Sequence, residues 1–521
     1  MLLQRIGNRG IQLGTLFERA AKRHPANVLI LDHDLDVAPE AGRRMTVSEA
    51  ADLVADLASR FWAAKVRPGT RVVVYKSNGF DITLLACALS RIGAVPVLLS
   101  PKLDGDTVAE LVRRVDRPYL VTDQAKLDNE LPASVFDLAE GVLVASGRHQ
   151  GATELRALKG VERVAPVTMP VDHPTLVTHT SGTTGTPKLA VHTSWSFQAR
   201  YRPQASVAAF VRKRETVAMH VSFVHSRIIT ALAIALLRGF PLVVLADDTP
   251  EHVADLFARV RPGVLEAHPN TFMRWEDLAD DPRGPLANVK YFDSTFDAIH
   301  PRTIRRLLGA SRRRSPVFGQ LYGQSEVGPV VGRLFTTKRR SDADGRCVGF
   351  PFFGMTEVRV VSRDGRPPSK LSPGYIEVRS DGRAVTYLGE QERYDKQHKD
   401  GWWRMGDVGY RTKWGCLHLL DREVDVIPGF GSTLSAEDKL FSKLDTLTEV
   451  IIIPSADGRP VPVVCTKGDT PLDLGAWRAA AAELPPMTDP VQWRLEDLPQ
   501  TATTKIKRLE LARLLATGNT A

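Results

Sequence analysis

Apolar positions along this chain follow two periods, and the changes of period mark its elements. Ala50, Leu53, Val54, Leu57 and Phe61 recur at helical spacing behind Thr46 and Glu49, whose separation matches a capping box. The spacing predicts an amphipathic helix. After Pro68 and Gly69, the β-branched run 71–75, a helical pattern through Leu84, Leu85 and Leu89, and the run 95–99 predict strand, helix, strand. Apolar runs at 242–246, 263–267, 289–292 and 317–322 continue this alternation, separated by stretches of helical length, which predicts a mixed or parallel sheet. From Thr356 onward, short strands at 357–361 and 375–378 lie among Gly and Pro, the texture of a β-rich section. Beyond Arg422 the pattern resets. A turn at 429–431, a helix at 436–444, an apolar run at 450–453 and an alanine-rich helix at 476–484 predict a compact C-terminal domain of about 100 residues. The expected fold class is α/β. A large N-terminal domain of mixed α/β sheets with a β-rich subdomain (residues 1–421) precedes a small α+β domain (422–521).

Composition narrows the classes. The 521 residues, 43% hydrophobic and 25% charged, have ordinary globular usage and exceed what one small core needs. The apolar run 228–237 is flanked by Arg227 and Arg238 and spans about half a membrane crossing, so a buried helix is expected there and no membrane partner. Residues 1–10 carry Arg5 and Arg9 without an apolar core of signal-peptide length, which predicts a cytoplasmic protein. Cys87, Cys347, Cys416 and Cys465 show no paired spacing, and buried free thiols are expected. The net charge of +9 is spread along the chain apart from short clusters such as Arg312, Arg313 and Arg314, and a solvated loop is expected there instead of a nucleic-acid site.

One segment carries chemistry on its own. Thr180-Ser181-Gly182-Thr183-Thr184-Gly185-Thr186-Pro187-Lys188 follows a strand-like run at 176–178. Gly182 and Gly185 let backbone N–H groups approach an anion, the hydroxyls add donors, and Lys188 supplies a positive charge. It differs from the P-loop of nucleotide hydrolases, in which Lys directly follows Gly.

This loop matches in full the signature of the adenylate-forming superfamily, which includes acyl-CoA and aryl-CoA synthetases, peptide-synthetase adenylation domains and luciferases. The resemblance continues through Tyr322-Gly323-Gln324-Ser325-Glu326, then Gly401-Trp402-Trp403-Arg404-Met405-Gly406-Asp407, then Arg422 with Asp425, and finally the segment from Pro499 to Arg508. Five ordered blocks thus span most of the chain. The resemblance implies ATP and Mg2+ as cofactors, with Thr180, Ser181, Gly182, Thr183, Thr184, Gly185 and Lys188 around the phosphates. It implies Tyr322 on adenine, Ser325 at the α-phosphate, Glu326 on the magnesium, Asp407 on the ribose and Arg422 near ribose and phosphate. Lys505 matches the lysine that a mobile small domain brings to the reacting phosphate, although Lys505, Lys507 and Arg508 also read as a solvated charge run. The acid pocket is expected around Phe223, His225, Arg227, Ser294, Thr295, Phe296, Val327 and Gly328. His225 stands either beside the reacting group or as a structural histidine at a helix start.

The pattern breaks at two places. Relatives of this superfamily usually carry Ser-Gly-Gly-Ala where this chain has Ser294-Thr295-Phe296-Asp297, which implies a reshaped pocket that Phe296 shortens, unless its ring points into the core. Val424 stands at the hinge position usually held by Asp or Lys, which puts the domain swing in question. The resemblance implies adenylation of a small aryl or short acyl acid, pyrophosphate release and transfer to CoA or to the thiol of a separate carrier protein. Two alternatives stay open. One is ATP-dependent activation of nitrite for diazotisation of an aryl amine, motivated by Thr295, Phe296 and Val424, with His225 and Arg227 as hosts for a small anion. The other is a catalytically silent nucleotide-binding scaffold, against which Lys188, Glu326, Asp407 and Lys505 argue.

Overall fold

The helix expected from the first periodic segment forms over Val47–Ala63, and its capping box is complete: Thr46 Oγ1 accepts from Glu49 N–H at 3.1 Å, and Glu49 Oε2 accepts from Thr46 N–H at 2.6 Å. In the computed structural model, which describes residues 10–180, 186–211, 213–295, 299–337, 346–455, 458–500 and 506–517, the strands form three sheets. Strands Arg71–Val74 and Val95–Leu98 pair in parallel across the helix Asp81–Arg91, as their pattern predicts, within an eight-stranded sheet. That sheet also takes Pro174–His179 and Leu189–Thr193, the two strands that flank the Ser/Thr/Gly-rich loop.

A fourteen-stranded sheet carries the other apolar runs. Strands Val217–His220, Val264–Ala267, Tyr291–Ser294 and Val317–Gln324 lie side by side in parallel register. Val317–Gln324 then turns into the antiparallel strand Gly328–Thr336. The β-rich section joins this same sheet: Cys347–Pro351 pairs with both Gly328–Thr336 and Leu417–Arg422. Helix Ser226–Arg238 holds the run expected to be a buried helix, and its apolar face belongs to the largest core, between the two sheets. Among the described residues no helix is long and apolar enough to cross a membrane.

After Arg422 the chain builds a three-stranded sheet, Leu447–Pro454, Pro460–Thr466 and Val491–Gln492, with helices Thr433–Lys443 and Leu474–Ala481 on a separate apolar core. The chain thus has a large N-terminal and a small C-terminal domain.

The expectation for the cysteines needs correction. Cys347 and Cys416 are disulfide-bonded, because Cys347 pairs with His418 across adjacent strands and brings the two Cα atoms to 6.6 Å. Their separation of 69 residues hides the pairing from the sequence. Cys87 and Cys465 are buried free thiols as expected. The arginine cluster is also less solvated than its composition suggests, since Arg313 pairs with Glu215 at 2.7 Å.

Candidate active site

A cavity of about 310 Å³ opens where the loop-bearing sheet, the end of the long sheet and the β-rich section meet, and most of the described residues singled out from the sequence line it. Thr180, Lys188, His225, Arg227, Thr295, Ser325, Glu326, Gly328, Asp407, Arg422 and the hinge residue Val424 all face it. Ser181, Gly182, Thr183, Thr184 and Gly185, Phe296 and Asp297, and Lys505 with residues 501–504 lie outside the described residues.

The two ends of the Ser/Thr/Gly-rich loop are tied together. Thr180 N–H donates to Lys188 O at 2.9 Å, and Lys188 N–H donates to Thr180 Oγ1 at 3.3 Å, which holds Lys188 beside the start of the loop. Its ammonium donates to the Tyr387 hydroxyl at 3.4 Å and lies 4.9 Å from the ring centroid. Burial lowers the Lys188 pKa, while the negative charge of Glu326 works the other way. Tyr387 in turn donates to Glu326 Oε1 at 2.6 Å, and burial together with that carboxylate raises the Tyr387 pKa, so the phenol keeps its proton. Glu326 is 7% exposed and lines the cavity. A buried carboxylate with a second oxygen beyond the Tyr387 bond suits a hard divalent cation.

His225 caps the helix Ser226–Arg238 through its ring. Nδ1 accepts from Arg227 N–H at 3.1 Å, so in the neutral ring Nε2 carries the proton and donates to Ser325 Oγ at 2.9 Å. The histidine is thus a helix cap, and its other nitrogen reaches the cavity-lining Ser325. Tyr322 does not line the cavity. It packs in the β-rich core, and its hydroxyl donates to Asp407 Oδ2 at 2.6 Å, fixing the carboxylate that does line it. Asp407 and Arg422 are register partners on adjacent strands.

The expected substrate residues divide. Phe223 is core, with ring centroids 6.0 Å from both His33 and Phe80. Ser294 and Val327 are fully buried and do not line the cavity. Gly328, at φ +71°, leaves room for Arg200, whose Cγ would lie 2.7 Å from a Cβ at that position. Arg227 is not a free anion site: Glu266 takes its Nη2 at 2.7 Å and also its Nε, and Asp293 accepts at 3.1 Å.

Arg200 and Tyr387 escaped the sequence reading, and Trp403 stood in a motif there without a role. Arg200 is buried and donates to Ser226 Oγ at 2.7 Å and to the carbonyls of Gly382, Ser325 and Glu326 at 2.6, 2.9 and 3.0 Å. Its signal is its phase: Phe197, Arg200 and Gln204 fall on the buried stripe of the helix Ser194–Ala208. Trp403 packs edge-on against Tyr387 with centroids 6.1 Å apart, and its neighbour Trp402 in the motif sits instead beneath Arg359 and Arg379.

The AMP-binding enzyme family model matches residues 17–388. The chain belongs to the AMP-binding enzyme family. Among curated relatives, 3-amino-2-hydroxy-4-methoxybenzoate diazotase of Streptomyces cremeus is 47% identical, with 99% of this chain and 97% of the relative covered. A 3-aminoavenalumate diazotase of a Streptomyces species is 26% identical over 80% of this chain and 75% of that protein. The crystal structure of a benzoate CoA ligase from Burkholderia xenovorans LB400 superposes with a TM-score of 0.79 at 17% identity, covering 96% of this chain and 100% of that one, and shares the fold. The chain is an adenylate-forming enzyme.

Proposed function

We propose that this enzyme uses ATP to activate nitrite and couples it to an aryl amine, giving an aryl diazonium ion, AMP and pyrophosphate. The observation that carries this reading is the 47% identity, over essentially the whole chain, to a diazotase acting on an amino-hydroxy-methoxybenzoate. The sequence alone ranked a carboxylic acid passed to CoA ahead of this chemistry. The oxyanion alternative now takes precedence because that similarity covers 99% of this chain.

In this reading a nitrite oxygen attacks the α-phosphorus of ATP and pyrophosphate leaves. Asp407, fixed by Tyr322, and Arg422 hold the ribose, while Thr180, Lys188 and the loop between them hold phosphate. Glu326 would hold the magnesium ion, which when bound would offset phosphate charge. His225 keeps Ser325 oriented toward the α-phosphate. Lys505, delivered by the small domain, adds positive charge in the transition state, an effect on the order of 10²-fold or more. The division of the chain at residues 421 and 422 belongs to the same proposal, and the separate sheet and core beyond Arg422 support it.

The test supplies ATP, Mg2+, nitrite and 3-amino-2-hydroxybenzoate, then measures AMP and traps diazonium as an azo dye with a naphthylamine. AMP and dye that both require nitrite and amine are expected. AMP formed with an aryl acid and CoA but never with nitrite would return the enzyme to acid ligation, and ATP binding without AMP under any condition would indicate a silent scaffold.

A further inference from the structure

The cavity wall at the Ser/Thr/Gly-rich loop holds a cation that lies in none of the sequence blocks. Arg393 lines the cavity together with Thr186, Lys188 and Tyr387. A short antiparallel pairing brings it there. Thr386 and Tyr387 lie against Val191 and Ala190 on the strand that leaves the loop, and Leu388 N–H donates to Leu189 O at 2.8 Å. The short helix Gln391–Asp395, which carries Arg393, follows at once.

Glu390 ties this helix to the loop. It accepts from Arg393 Nη1 at 3.0 Å and from Arg114 Nη1 at 2.7 Å, and the same Arg114 nitrogen donates to Pro187 O at 3.1 Å. Arg114 comes from the last turn of helix Gly105–Val115. Gly389, at φ +74°, lets it approach, since a Cβ there would lie 2.9 Å from Arg114 Cγ. Arg393 is thus anchored to the residue that precedes Lys188.

The guanidinium is only partly spent. Nη1 is bonded to Glu390, while Nε and Nη2 have no partner among the described residues, and the side chain is 38% exposed. Glu390 divides its charge between Arg393 and Arg114. Glu110, also paired with Arg114, is 48% exposed and screened by water. Lys188 and Arg393 therefore face one cavity as two cations. Burial first, and then the charge of Arg393, lower the Lys188 pKa, and Glu326, which works the other way, is the carboxylate proposed for the magnesium ion. Like charges held together disfavour each other until an anion lies between them.

This wall stands away from the residues proposed for the ribose. Trp403 packs on Tyr387, and Asp407 lies four residues further along the same strand, about 13 Å at strand rise. An anion at Arg393 is therefore phosphate beyond the α-phosphate.

We propose that Arg393 binds the β- and γ-phosphates of ATP and receives the charge of the departing pyrophosphate. The proposal rests on the ATP site of the preceding reading and holds whichever oxyanion attacks. As the oxyanion's oxygen bonds to the α-phosphorus, the bond from that phosphorus to the bridging oxygen breaks, and its electron pair leaves on pyrophosphate. No oxidant or reductant is consumed. The two unspent nitrogens of a planar guanidinium match two phosphate oxygens, which a lone ammonium would not.

The test measures binding of ATP, AMP and pyrophosphate, each with Mg2+, to the full-length enzyme by calorimetry, with no oxyanion or amine present. Wild type must bind ATP, and its failure to do so would sink the ATP site and this proposal with it. Arg393→Met is expected to weaken ATP and pyrophosphate by about tenfold and to leave AMP within about twofold of wild type, because AMP ends at the α-phosphate. Equal weakening of ATP and AMP, or an unchanged affinity for ATP, would overturn the proposal. If Arg393→Met does not fold, Arg393→Gln, whose amide can still donate to Glu390, is judged by the same comparison. No turnover is read, so the outcome is independent of whether nitrite or a carboxylate is the oxyanion.

Discussion

Arg200 shows how much of the site depends on one side chain that touches backbone. Its guanidinium gathers the carbonyls of Ser325 and Glu326 from the motif strand, that of Gly382 from the β-rich section, and the hydroxyl of Ser226 from the helix His225 caps. Burial pulls its pKa down to about 9, so it remains charged at neutral pH. Arg200→Met keeps the volume and takes the donor from four acceptors, of which Glu326 O still accepts from Ala384 N–H. The expected result is a loss of at least about 2–3 kcal/mol in unfolding free energy, read from urea denaturation, together with a weakened response to Mg2+ as Glu326 loses its fixed backbone. Wild-type stability in the variant would mean that water replaces the guanidinium. At this scale the sequence is legible in the placement of Lys188, Glu326 and Asp407, which all line the cavity. It is silent where a charged residue serves as internal scaffolding: nothing in the letter Arg at position 200 distinguishes a buried clamp from a solvated helix face except its phase with Phe197 and Gln204.

Among elements, local signals were reliable and long-range ones were not. The helix Val47–Ala63 begins where Thr46 and Glu49 place it, because a capping box is satisfied within four residues. Thr46→Ala should cost about 1 kcal/mol in urea unfolding and leave ATP–pyrophosphate exchange at the wild-type rate, since Thr46 does not line the cavity. A fall in exchange would show that this helix reaches the site after all. Boundaries slipped where a turn borrowed apolar residues. The run expected at 289–292 is a strand at Tyr291–Ser294, because Val289 N–H is already engaged by Leu286 O in the preceding turn. The union of the β-rich section with the long α/β sheet was not legible, nor was the disulfide that follows from it. Both depend on the register of Cys347–Pro351 against two strands far away in sequence, and no local period encodes that.

For the whole molecule, a large N-terminal and a small C-terminal domain were legible from the change of pattern, but the contact between them was not, since it joins residues distant in the sequence, such as His300 and Asp438, 138 positions apart. Asp438, on the helix Thr433–Lys443, accepts from His300 Nδ1 at 2.7 Å and pairs with Arg346 at 2.8 Å. His300 stacks on Phe441 with centroids 4.3 Å apart, and the guanidinium of Arg302 lies over the same ring. Burial works against charge on both members of the His300–Asp438 pair. The hydrogen bond and charge of Asp438 nevertheless raise the His300 pKa above its ordinary 6.5. Arg346 and His300 likewise hold Asp438 below its ordinary 3.8. The sign of the pH effect follows from these directions. The contribution of His300 is complete below about 6.5 and disappears as pH rises through its raised folded value. That of Asp438 is present above about 3.8 and disappears only as acid protonates it below that. The docked contact is therefore strongest between these limits and weakens on the alkaline side. In thermal melts the gap in Tm between wild type and His300→Gln should be widest near pH 6 and narrow steadily toward pH 9. It should not close completely, because the stacking on Phe441 does not titrate. The protection of amides across Thr433–Lys443, relative to their intrinsic exchange at each pH, should fall over the same range in wild type alone. A gap in Tm that stays constant with pH would show that His300 contributes through its ring alone, with no charge in the contact.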